Sequence, residues 1–200
     1  MNAMPQLRIT DINSRLRHWT RRSSAAVLVA ALGTVLFHSA VQAYPQTRQG
    51  FYFGLGLGTG SADLGSGTAN STRLSGSAGS FRFGFTLNPN IALGLESNSW
   101  LKSAPDGLFG ITTLTLAASV FPAEGLVLRA GVGAGAEGGA GDGLGGEAGS
   151  GLMVGAAYEF RVARSFALGP QVDYNRVKLN FVDRSFVNVG LLMTWYFIPQ

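Results

Sequence analysis

Five charged residues stand at alternate-residue positions on what would be single strand faces: Arg82, Glu96, Arg129, Glu159 and Asp173. Phe81 and Phe83 flank Arg82, Tyr158 and Phe160 flank Glu159, and Val172 and Tyr174 flank Asp173. Side chains alternate across a strand with period two, so each charge points away from an apolar face. Charges withdrawn from water cost several kcal/mol each unless paired and hydrogen-bonded. Two cations and three carboxylates on one face are therefore the material of an internal ion-pair network or, if water reaches them, of a lined ion pathway.

The same inventory argues against catalysis. Histidine occurs only at His18 and His38, so no Ser-His-Asp/Glu set can be assembled from residue 44 onward. There is no cysteine, hence no thiolate nucleophile, disulfide framework or cysteine metal site. Gly133 to Gly138 satisfies G-x-G-x-x-G but leads into a loop instead of a helix, which removes the dinucleotide reading. Glu137, Asp142 and Glu147 lie among glycines and could offer carboxylates to calcium, although their context reads as a solvated loop. No metal and no cofactor is expected.

The elements that must position the five charges are strands. Period-two alternation predicts eight, near residues 51–59, 80–87, 91–98, 111–121, 126–135, 151–160, 166–176 and 186–197. Most have the roughly 9 to 11 residues of a tilted membrane-spanning strand. Their connections are predicted to alternate long (60–79, 99–110, 137–150, 177–185) with short (88–90, 122–125, 161–165). Lys102, Arg176, Lys178 and Arg184 lie in or beside the long ones.

One face collects Phe51, Phe53, Leu55 and Leu57, and Phe81, Phe83 and Phe85, with matching sets on every later strand; the other collects the five charges and most strand glycines. A soluble, lipocalin-like barrel would turn the apolar face inward around a ligand, whereas a membrane barrel turns it to lipid. Glycine makes a poor exterior for a soluble barrel. It makes room in a narrow eight-stranded lumen, which is just wide enough for side chains. The predicted fold class is therefore all-β: an eight-stranded antiparallel up-and-down transmembrane β-barrel.

The chain's formal charge of +4 is concentrated ahead of that barrel. Arg8, Arg15, Arg17, Arg21 and Arg22 precede the apolar run Ala25 to Phe37 and the small-residue exit Val41-Gln42-Ala43, which together read as a secretory signal peptide over residues 1–43. Without that segment ten basic residues face ten acidic ones, so the basic balance does not indicate nucleic acid. Residues 44–200 form the predicted barrel domain.

The last strand, with Asn188, Gly190, Met193, Trp195 and Phe197, resembles the C-terminal β-signal read by the insertion machinery of outer-membrane barrels. Together with Gly125 to Gly133, Gly155 to Phe160 and Ala167 to Tyr174, it makes the chain similar to the small eight-stranded outer-membrane β-barrel family of OmpA and OmpX type. The resemblance implies a Gram-negative outer membrane, with lipid, lipopolysaccharide, the insertion machinery and periplasmic chaperones as partners. It names no extracellular ligand. It implies a non-catalytic structural or surface-exposed protein, concerned with membrane integrity, adhesion or antigenicity, with a plugged polar lumen. A narrow diffusion pore is the alternative, ahead of a lipid-modifying enzyme and a lipocalin-like carrier. Lys102, Arg176, Lys178 and Arg184 are the expected contacts to lipopolysaccharide phosphates.

Overall fold

In a computed structural model, residues 48–64, 73–105, 107–139, 146–180 and 182–197 are described. The expected signal peptide, Asp142 and residues 198–200 lie outside them. Alternating segments form β1 (Gly50–Asp63), β2 (Arg73–Asn88), β3 (Ile91–Ala104), β4 (Gly107–Ala123), β5 (Leu126–Gly139), β6 (Glu147–Tyr158), β7 (Phe160–Ala163), β8 (Phe166–Lys178) and β9 (Asp183–Phe197). β6 and β7 are two pieces of one strand interrupted at Glu159, and both pair with β8. The architecture therefore has eight strands.

Each strand pairs antiparallel with its sequence neighbour, and β1 pairs with β9 from Phe51↔Phe197 to Asp63↔Ser185. That seam closes the sheet into an up-and-down barrel and leaves no unpaired edge. Turn chemistry fits one end. The Asn90 N–H donates to Asn88 Oδ1 at 2.9 Å, an Asx-type turn at Pro89. At the β4–β5 turn Gly125 has φ +78°, in the left-handed region that favours glycine, with the Tyr158 ring against it.

Strands run further than the sequence pattern suggests at the opposite end. β2 begins at Arg73 instead of near residue 80, and β3 and β4 continue until only residues 105 and 106 separate them. The expected long connection over 99–110 is thus a tight hairpin, and 177–185 shrinks to residues 179–182. Apolar alternation fades there into Ser, Gly, Asn and Lys, yet backbone pairing continues, from Ser77↔Leu101 to Asp63↔Arg73. The barrel ends therefore differ both in how far the wall is extended and, at 64–72 and 140–146, in connection length.

Facing follows parity. Leu57, Phe83, Leu116, Val132, Leu152, Val172, Val189 and Leu191 are exposed on the outside, while Arg82, Glu96, Arg129, Glu159 and Asp173 are buried within. An apolar exterior around a charged interior is the arrangement of a membrane barrel and the inverse of a soluble carrier. At the turn end, Phe53, Phe166 and Trp195 pack together, with centroids 5.7 Å (Phe53–Trp195) and 5.1 Å (Phe166–Trp195) apart.

Candidate functional site

The lumen holds its charges in two adjoining groups. In the first, Glu159 sits at the break between β6 and β7. Its Oε1 accepts from Arg82 Nη2 at 2.8 Å and Thr194 Oγ1 at 2.9 Å, and its Oε2 accepts from the Tyr196 hydroxyl at 2.6 Å. Arg82 also donates to Thr194 Oγ1 at 2.6 Å, and Arg48 Nη2 lies 3.7 Å from Glu159 Oε2. In the second, Arg129 bridges two carboxylates: Nη1 donates to Glu96 Oε2 at 2.8 Å, and Nη2 pairs with Asp173 Oδ1.

All five sequence-selected charges therefore meet inside the barrel, but they do not balance by themselves. Arg82 and Arg129 leave one carboxylate over, and Arg48 supplies the third cation. Arg48 precedes β1, where no strand periodicity marks its direction. Arg161 adds another buried guanidinium near the turn end, stacked over the Tyr196 ring at 4.5 Å and donating to Arg164 O at 2.9 Å. Its parity with Glu159 was the available signal.

Apolar clusters flank the charged layers on both sides. At the turn end Tyr52, Phe121, Val127, Leu192 and Tyr196 are buried together, with Arg48 4.0 Å from the Phe121 ring centroid. At the other end Trp100, Ile111, Val177, Leu179 and Phe186 form a second cluster, against which Leu64, Leu74 and Phe109 pack. Trp100 is fully buried, although the sequence pattern assigns it to a loop. It continues the inward series Ala92, Gly94, Glu96 and Asn98, and extending that series is what finds it.

Glycines set how closely the charges approach. Gly54 lies beneath Arg82, whose Nε would be 2.6 Å from an added Cβ. At Gly155 an added Cβ would fall onto Asp173 Oδ1, with Arg129 Nη2 at 3.2 Å. Several polar atoms around the network have no protein hydrogen-bond partner, among them Glu96 Oε1, Asp173 Oδ2 and both side-chain atoms of Asn98. Groups of this kind are commonly satisfied by buried water.

The remaining sequence-selected residues divide. Asn188 and Gly190 face inward on β9, and Met193, Trp195 and Phe197 face outward. Arg184 is not a free surface cation. Its Nε donates to Glu137 Oε2 at 2.6 Å and its Nη1 to Leu64 O at 2.6 Å, across the open end. Lys102 donates to Ser75 O at 3.0 Å. Arg176 and Lys178 are exposed, with Arg176 paired to Asp183. Glu147 accepts from the Asn180 N–H at 2.8 Å, and no acidic cluster able to hold a metal occurs among the described residues.

No protein-family model and no curated protein sequence matches the chain. Solved structures do. Ail, the attachment invasion locus protein of Yersinia pestis, aligns with a TM-score of 0.52 and 16% identity over 74% of this chain and 100% of its own. Neisserial surface protein A aligns with a TM-score of 0.54 and 16% identity over 74% of this chain and 97% of its own. At that identity the likeness speaks for architecture alone, and the architecture is the closed eight-stranded antiparallel barrel of small outer-membrane proteins.

Proposed function

We propose that the chain is a non-catalytic β-barrel of a Gram-negative outer membrane that acts through its surface, as a structural or surface-exposed protein in membrane integrity, adhesion or antigenicity, with a plugged lumen. The observation that carries this reading is the stack inside the wall: an aromatic and aliphatic cluster at each end, with Arg82–Glu159 and Glu96–Arg129–Asp173 between. Eight strands leave space only for such side chains. Residues 1–43 act as its export signal, and β9 is the segment read by periplasmic chaperones and the insertion machinery. Arg176 and Lys178 are the cations turned toward lipopolysaccharide phosphate. Equal thermal stability with and without lipopolysaccharide would remove that contact.

The test is in two steps. A heat-dependent gel shift on the refolded chain in vesicles, with protease access limited to the loop end, is expected for an inserted barrel. Planar-bilayer recording is then expected to give no conductance steps. A narrow diffusion pore is the second reading, favoured by the unpartnered polar atoms of Asn98 and Asp173. Steps that change size in Arg82→Gln or Glu96→Gln would establish it in place of the plug.

A further inference from the structure

Large apolar side chains cover much of the outer wall, and small residues replace them at several places, Ala118 against Ala130 and Ala134 against Ser150 among them; β2 and β3 carry another. Along the outward face of β2, Phe85, Phe83 and Phe81 are followed by Gly79, Ser77 and Ser75, and on β3 Leu95 is followed by Ser97 and Ser99. In register, Gly79 faces Leu57 on one side and Ser99 on the other, and Phe81 faces Leu55 and Ser97. The result is a notch of about 270 Å³ floored by Gly79 and walled by Leu55, Leu57, Phe81, Ser97, Ser99 and Met193.

Gly79 differs from the lumen glycines. An added Cβ at Gly54, Gly84 or Gly94 would come within 3 Å of other atoms, whereas at Gly79 the nearest is Gly56 O at 3.9 Å. Nothing in the protein requires a small residue there, so the space opens to the surroundings. In the membrane reading above, on which this inference rests, those surroundings are hydrocarbon. The volume falls just short of the roughly 300 Å³ at which small-molecule pockets begin. It suits a segment of chain held on several sides.

Charge marks the direction in which that chain would run. Above Gly79 the outward face of β2 stays small through Ser77 and Ser75 and ends at the exposed Arg73, six residues or roughly 20 Å away along the strand. Lys102 does not join this lane: by parity it continues the inward series that ends in Trp100, and its Nζ donates to the Ser75 backbone carbonyl at 3.0 Å. Asp63 faces Arg73 across β1 and β2. We propose that this lane seats one phosphate-bearing membrane lipid, with an acyl chain in the notch over Gly79 and the headgroup phosphate at Arg73. Close packing against the wall is what would distinguish this chain from the bulk, because hydrocarbon tails gain nothing by leaving other hydrocarbon.

The experiment uses the full barrel refolded into vesicles of phosphatidylglycerol and phosphatidylethanolamine, extracted into detergent and weighed by native mass spectrometry. One phosphatidylglycerol retained per barrel is expected for the unaltered protein and for Ala134→Phe, an outward substitution on β5. Gly79→Phe, with Gly79→Leu as the variant to use if the ring hinders folding, is expected to lower retention at least tenfold. Equal retention in the Gly79 variants, or none in the unaltered protein, would overturn the seat. Diacylglycerol retained as well as phosphatidylglycerol would overturn the headgroup contact. The heat-dependent gel shift on the same samples separates these failures from failure of the membrane barrel itself.

Discussion

Arg82 and Glu96 face one another in register across β2 and β3, yet each pairs elsewhere: Arg82 with Glu159 and Glu96 with Arg129. Backbone register and charge pairing are decoupled because the narrow lumen lets long side chains reach strands that are not their backbone neighbours, Arg129 over β4 and Arg82 across the lumen. Double-mutant cycles, read from denaturant unfolding in vesicles, should show it. The Arg82→Gln/Glu159→Gln pair is expected to couple by about 1 kcal/mol or more, within the range for residues in one network. The Arg82→Gln/Glu96→Gln pair should couple less. Equal coupling would mean that the two groups form one undivided network.

Glu159 is the most heavily engaged of the carboxylates, accepting from Arg82, Thr194 and Tyr196 with Arg48 alongside. Glu159→Gln removes the carboxylate that Arg82 pairs with in a buried setting. Breaking a buried pair from one side costs about 3–5 kcal/mol. The variant should unfold at clearly lower denaturant, whereas Glu124→Gln, on the exposed β4–β5 turn, should change stability by less than about 0.5 kcal/mol. A Glu159→Gln midpoint indistinguishable from the unaltered protein would show that water, not Glu159, compensates Arg82.

Much of this was legible from alternation. Period two placed Arg82, Glu96, Arg129, Glu159 and Asp173 on the inner face, and the Asn88-Pro89-Asn90 and Glu124-Gly125 turns located two hairpins. Legibility stopped where apolar alternation stopped. Strand continuation through Arg73 to Gly79 and Ser99 to Ala104 depends on backbone pairing with neighbours, which leaves no hydropathy signal. For the same reason Trp100 read as a loop residue. Which arginine joins which carboxylate was also hidden, since it depends on side chains crossing strands, and Arg48 lies outside any periodic segment.

Gly155 and Gly79 make a matched pair for testing glycine's role. At Gly155 an alanine methyl would displace Asp173 from Arg129, and forcing extra volume into a packed site costs about 1–3 kcal/mol. At Gly79 the methyl enters open space on the outer wall, so Gly79→Ala should change stability by less than about 0.5 kcal/mol. Equal costs would indicate that backbone freedom, not lumen crowding, explains the inward glycines.

The outer wall should report its own depth. Leu116 and Leu108 are both outward and exposed on β4, but Leu108 lies in the stretch beyond the apolar alternation. An arginine on the lipid face costs about 2–4 kcal/mol at the bilayer midplane and about 0–1 kcal/mol near its boundary. Leu116→Arg is therefore expected to destabilise the barrel severely in vesicles and Leu108→Arg only slightly. Equal effects would place the extended wall within hydrocarbon.

The two apolar clusters are barriers in series, which makes a sharper prediction than either alone. Trp100→Ala removes the largest side chain from the loop-end cluster, and Tyr52→Ala opens the turn-end cluster beside Tyr196. Because water must cross both, each single variant should remain silent in planar bilayers while the double variant conducts. Large-to-small changes of this size cost about 3–5 kcal/mol each, so recordings belong with a gel-shift check that the barrel persists. Conductance in Trp100→Ala alone would mean that the Tyr52 cluster already passes ions and that a single gate closes the lumen. Silence in a folded double variant would assign the block to the Arg82–Glu159 and Glu96–Arg129–Asp173 layers between them.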